Sequence, residues 1–145
     1  MCTEATHQRL WRSVLAFAGD RDVADEAVAE AFAQVARRGD SVRDVEAWVW
    51  RAAFAIARGE PSVRQPQLVS DPDGAAVLPP DYTRDTISVL KALDLRDREV
   101  LVLRYVADLS HAEIARRLGI TPAAVRVRLH RARSRARVLL EEHDA

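Results

Sequence analysis

The sequence predicts an all-α protein of two small helical domains joined by a linker containing proline and glycine. Three observations carry this. Apolar residues recur at helical spacing in three stretches before the linker and four after it. Alternation at period two is short and is never bounded by hairpin signals. Five of the six prolines, Pro61, Pro66, Pro72, Pro79 and Pro80, fall in one segment with Gly59 and Gly74, where proline blocks helix and glycine loosens the chain. The expected organisation is a first domain over residues 1–58, a linker over 59–80 and a second domain over 81–145.

In the first domain, Leu10, Val14 and Phe17 predict a helix over residues 6–18, which Gly19 and Asp20 break. Residues 22–38 follow, with Val28, Ala31, Phe32 and Val35 on one stripe, Glu26, Glu30 and Arg37 on another face, and Gly39 as the end signal. Ser41 is the expected N-cap of a third helix over residues 42–58, with Asp44 three residues on. That helix turns Val45, Trp48, Val49, Ala52 and Ile56 inward, and places Trp50 and Phe54 one turn apart on the opposite face.

The second domain starts near Asp81, with Ile87, Leu90 and Leu93 as its first stripe. Asp94 caps a helix from Leu95 to Val106. Ser110-His111-Ala112-Glu113 is a capping box opening a short helix that ends at Leu118, and Gly119 fits the left-handed position after it. Thr121 caps the last helix, with Pro122 in its first turn, where the missing N–H costs nothing. Its apolar stripe is Val125, Leu129, Ala132, Ala136 and Leu139.

Net charge over the 145 residues is zero, but it is unevenly distributed. Residues 1–80 hold nine arginines against twelve acidic residues, a balance of −3; residues 81–145 hold thirteen basic against ten acidic, a balance of +3. From Arg116 to Arg137 there are eight arginines and no acid. Such a block is a candidate footprint for nucleic acid. The lone Cys2 cannot form an internal disulfide and fits a reducing compartment. No apolar run approaches the roughly 18 residues of a membrane span, and the polar first ten residues do not read as a secretory signal. A cytoplasmic protein without membrane insertion is expected.

Two helices joined by Leu118-Gly119-Ile120-Thr121 have the spacing of a helix-turn-helix, whose second helix enters the major groove by its N-terminal part. Thr121, Ala123, Ala124, Arg126, Arg128, His130, Arg131 and Arg133 are the candidate DNA-binding residues. Small residues near the tip permit close approach, and arginine reads guanine or holds phosphate.

Leu95-Arg96-Asp97-Arg98-Glu99-Val100-Leu101-Val102-Leu103-Arg104-Tyr105, Leu109-Ser110-His111-Ala112-Glu113-Ile114-Ala115, Leu118-Gly119-Ile120 and Val125-Arg126-Val127-Arg128-Leu129-His130-Arg131-Ala132-Arg133 together resemble region four of the extracytoplasmic-function (ECF) sigma factors, in the sigma-70 family. More loosely, Gly19-Asp20, Ala24-Asp25-Glu26-Ala27-Val28-Ala29-Glu30-Ala31-Phe32 and Val45-Glu46-Ala47-Trp48-Val49-Trp50-Arg51 resemble its region two. The resemblance implies a non-enzymatic subunit that binds core RNA polymerase and promoter DNA to direct transcription initiation, and that an anti-sigma factor often holds inactive. It implies polymerase binding at Glu26, Glu30 and Arg37, contact of Trp50 and Phe54 with the minus-ten strand, and reading of the minus-thirty-five element by the helix-turn-helix. Ala29 departs from the family's glutamine, and Ala52-Ala53-Phe54-Ala55-Ile56 is more apolar than its usual run.

Two other readings stay open: a stand-alone helix-turn-helix regulator, and a degenerate sigma-like module that binds polymerase or anti-sigma factor without initiating. No enzyme, cofactor or metal is expected, since no phosphate loop, nucleophile–base pair or ligand cluster is visible and His7, His111 and His143 lack ligand spacing. Replacing Arg126 and Arg131 with alanine is expected to abolish duplex binding and leave the helical circular-dichroism spectrum intact; unchanged affinity in the folded double variant would remove the recognition-helix assignment.

Overall fold

The computed structural model describes residues 4–60 and 84–144. Cys2, the expected linker from Pro61 onward and the expected start of the second domain at Asp81 lie outside them. Among the described residues there are seven α-helices: α1 (Glu4–Ala18), α2 (Arg21–Arg38), α3 (Val45–Ala57), α4 (Arg84–Ala92), α5 (Leu95–Leu101), α6 (His111–Leu118) and α7 (Pro122–Asp144).

In the N-terminal half, α1 buries Leu10, Val14 and Phe17 and stops at Gly19, whose φ of 72° continues no helix. Asp20 caps α2 by accepting from the backbone of Asp22 and Val23. Ala24, Ala27, Val28 and Ala31 give α2 a narrow buried stripe of small residues, which lets α1 and α3 approach closely. The cap of α3 is not Ser41 but Asp44, which accepts from Ala47 N–H at 3.1 Å. A 3₁₀ turn over Gly39–Ser41 comes first, and there Ser41 donates its hydroxyl back to the Arg38 carbonyl.

This shift accompanies a larger correction. Trp50 and Phe54, read as an exposed face, are each only 1% exposed. Their rings stack at 6.2 Å, and Phe54 meets Phe17 at 5.2 Å. Trp48, expected in the core, is half-buried under the Arg38 guanidinium, 5.2 Å from the ring centroid. Both faces of α3 are covered because the C-terminal half packs onto the second one.

In that half Asp94 caps α5 as expected. The helix beyond it does not run evenly to Val106. Val102–Val106 forms a π-helical turn closed by Ala107 N–H to the Val102 carbonyl. The wider turn keeps Leu101, Val102 and Leu103 all buried, three neighbours that one α-helical stripe would not hold. Asp108 then reverses the chain at a φ of 57°, a conformation that aspartate tolerates better than most side chains.

The two halves share one apolar cluster, which runs from Leu10, Phe17, Trp50 and Phe54 to Leu103, Leu109 and Ile114. Arginines bridge it. Arg9 donates to the Ala107 carbonyl at 2.8 Å, Arg98 to the Phe17 carbonyl at 3.1 Å, and Arg51 to the carbonyls of Arg116 and Arg117 at 2.9 and 3.1 Å. Ion pairs join Arg117 to Glu46 and Arg58 to Glu99. Burial pushes the Glu99 carboxyl up from its ordinary value, against the pull of Arg58. Phe54→Ala is expected to cost about 3–5 kcal/mol in urea denaturation, as for a buried aromatic; an exposed position would move stability by less than about 0.5 kcal/mol.

Candidate nucleic-acid interface

The helix-turn-helix is built by local chemistry. Ser110 Oγ accepts from Glu113 N–H, and the Glu113 carboxylate accepts from Ser110 N–H, both at 3.1 Å. That backbone hydrogen bond holds Glu113 below its ordinary pKa. Gly119 leaves α6 at φ 70°, ψ 34° and donates to the Ala115 carbonyl. Thr121 Oγ1 accepts from Ala124 N–H at 3.1 Å and starts α7. Val125, Leu129 and Ala132 are fully buried, so the helix can present only its other faces.

Those faces carry Thr121, Ala123, Arg126, His130, Arg131 and Arg133 in exposed positions, with Ala124 and Arg128 half-buried. The exposed arginines are not equivalent. Arg133 donates to the Tyr105 hydroxyl at 3.0 Å. Arg135 pairs with the buried Asp97 at 2.6 Å and reaches Asp94 at 4.0 Å. Both contacts pin the middle of α7 onto its scaffold. Arg126 and Arg131 stand toward the N-terminal part and lead the groove-facing set.

The acid-free block also contains arginines that face the protein. Arg117 is 2% exposed. It bonds Glu46 at 2.9 Å and the Glu113 carbonyl at 3.2 Å, and its guanidinium lies 5.2 Å from the Trp50 ring centroid. Arg116 lies 3.6 Å from Asp44. Charge counting along the sequence could not separate these from the DNA-facing arginines.

On α2, Glu26 is exposed, while Glu30 is half-buried and bonded to Arg37 at 2.8 Å and to Gln34 at 3.2 Å. The Arg37 hydrogen bond holds Glu30 below its ordinary pKa. The three residues expected to meet a protein partner thus lie on one helix, away from α7.

A second basic surface was not expected from sequence. A polar pocket of about 280 Å³ lies where the turn before α3 meets α6, lined by Arg38, Arg43, Asp44, Trp48, Arg51 and Arg116. It combines an accessible indole with four guanidiniums, and Trp48 rather than Trp50 supplies the indole. The signal available in the sequence was Arg38-x₄-Arg43 flanking a turn next to a tryptophan helix. Among the described residues, no group of three or more potential ligands is placed to hold a metal ion, and no helix is long and apolar enough to cross a membrane.

Residues 84–135 match the family model of sigma-70 region 4. The chain is 33% identical over 137 residues to the ECF RNA polymerase sigma factor ShbA of Streptomyces griseus, covering 83% of this chain and 71% of the relative. Its fold matches CnrH in complex with the cytosolic domain of CnrY, with a TM-score of 0.68 and 26% identity over 92% of this chain and 81% of that one. It also shares the fold of the sigma factor RpoE of Bartonella quintana, solved with the anti-sigma factor NepR, at a TM-score of 0.64 and 18% identity over 94% and 92% of the two chains.

The split among the arginines has a measurable signature. Each lost phosphate contact lowers the slope of log affinity against log salt by about 0.9 for duplex DNA. Arg131→Ala is expected to lower it by about that much, and Arg135→Ala to leave it unchanged, in fluorescence-anisotropy titrations of the folded variants on one duplex.

Proposed function

The chain belongs to the ECF RNA polymerase sigma factors, and we propose a division of that work between its two helical halves. It binds core RNA polymerase and promoter DNA and directs promoter-specific transcription initiation; sigma factors act as initiation subunits and not as enzymes in themselves. The C-terminal half, residues 81–145, reads the minus-thirty-five element, and residues 1–58 dock on polymerase and handle the minus-ten element. One observation carries the first assignment: α7 turns Arg126, His130 and Arg131 outward from a seam of Val125, Leu129 and Ala132 that is fully buried. Arg126 and Arg131 are assigned to base edges or adjacent phosphates, Thr121, Ala123 and Ala124 to the close approach of the helix tip, and Arg128 and Arg133 to the flanking backbone.

Polymerase docking is assigned to the Glu26, Glu30 and Arg37 face of α2, which no residue of the C-terminal half covers with a hydrogen bond or ion pair among the described contacts. For the minus-ten strand, the burial of Trp50 and Phe54 moves the assignment to Trp48. An unpaired base stacked on an indole contributes about 1–3 kcal/mol, and the surrounding arginines would hold the phosphates. The apolar run 52–56 no longer favours a degenerate module, because Ala53, Phe54 and Ile56 are apolar for packing. An anti-sigma factor is a further partner. An apolar groove of about 360 Å³ between α4, the π-helical turn and α7, floored by Val89, Leu101 and Val102 and edged by Arg133 and Arg137, is a surface suited to a helix with acidic flanks.

Run-off transcription with purified core polymerase on genomic fragments tests the proposal. Discrete transcripts that depend on the chain are expected. Core binding without transcripts would favour the sequestering module, and failure to bind core would favour the stand-alone regulator.

A further inference from the structure

We propose that the contact between the two helical halves is a latch: the free chain is closed, and promoter engagement requires the halves to part. Three observations point to it.

The contact restrains both DNA-facing surfaces. It seats α6 against α3, where Arg51 caps the end of α6 and a Cβ added at Gly119 would lie 3.8 Å from the Arg51 guanidinium. Only Gly119, Ile120 and Thr121 separate α6 from α7. The duplex-reading helix is thereby held about one helix diameter, roughly 10 Å, from α3 and the Trp48 pocket. Two surfaces fixed in one compact body cannot sit on two separate promoter elements.

The contact is also built to come apart. Most of its polar links run from a guanidinium to a backbone carbonyl at a helix end: Arg9 to Ala107, Arg98 to Phe17, and Arg51 to Arg116 and Arg117. On opening, both partners meet water, and no buried charge is stranded by these links. In addition, the indole N–H of Trp50 and the Nε–H groups of Arg98 and Arg117 are buried without an acceptor in the protein. All three side chains lie at this contact, and opening hydrates them. The closed form therefore carries a cost that opening removes.

Finally, the latch leaves a way in. Glu26 on α2 is exposed in the closed form, so polymerase can dock before the halves separate. The expected order is docking, then opening, then engagement of both elements.

Two experiments on the full chain with Cys2→Ser test this. First, dyes at Ala36→Cys and Ser134→Cys report the distance between α2 and α7. A short distance in the free chain, lengthening with core polymerase and promoter, is expected; the same distance in both states overturns the latch. Arg9→Ala with Arg51→Ala should shift the free chain toward the longer distance, and a distribution identical to the parent's also overturns it. Second, Arg9→Cys and Asp108→Cys, which meet across the contact, are joined by a short crosslinker that reductant cleaves. Locking the halves is expected to lower run-off transcription by at least about tenfold, because almost no competent form remains, and cleavage to restore it. Undiminished transcription from the locked chain overturns the latch. Transcription is the only readout that rests on the sigma-factor reading. Loss of transcripts from the cleaved protein would count against that reading, while the distance change alone decides the latch.

Discussion

An α-helix leaves up to four carbonyls at its C-terminus without partners, and in this chain arginines from elsewhere in the fold satisfy many of them. Arg98 of α5 reaches the Phe17 carbonyl of α1 and the Lys91 and Leu93 carbonyls at the end of α4. Arg51 of α3 serves α6, and Arg9 of α1 serves the chain after the π-helical turn. A cation at the negative end of a helix adds to the hydrogen bond. Around these caps Phe17, Trp50 and Phe54 are buried, each worth about 1.5–3 kcal/mol. Every buried donor left unpaired works against them at about 1–3 kcal/mol. The opposing terms are of similar size, so the halves are held together by a small difference between them.

What was legible in the sequence was whatever the sequence settles locally. The Ser110–Glu113 box, the left-handed Gly119 and the Thr121-Pro122 start fixed the helix-turn-helix to the residue, because each device acts within four positions. Asp20 and Asp94 behave likewise. The errors fall where distant residues decide. Ser41 and Asp44 are both good caps, and a 3₁₀ turn after Gly39 selects the second. The even helix expected to Val106 widens because three consecutive apolar residues must all be buried. Trp50 and Phe54 read as an exposed face only while α3 was considered with its own half; α6 and the π-helical segment cover it.

The acid-free arginine block illustrates the same limit for charge. Arg117 is internal, Arg116 faces Asp44, and Arg133 and Arg135 brace α7. Counting charges along the chain finds the right region but overstates how much of it faces solvent. Buried arginine is tolerated here because each guanidinium meets a carboxylate, a carbonyl or an aromatic face.

The π-helical turn makes chain length itself a structural signal. Such a turn is an α-helix with one residue to spare. Deleting any one residue between Val102 and Val106 would let the segment relax into an ordinary helix, and everything after it would rotate by about 100°, one residue's share of a 3.6-residue turn. Ala107 and Asp108 would then turn their carbonyls away from Arg9, and α6 would lose its seat on α3. In this stretch a change of side chain is a smaller event than a change of register, so a lineage of such proteins could alter the bond between its halves by gaining or losing a single codon.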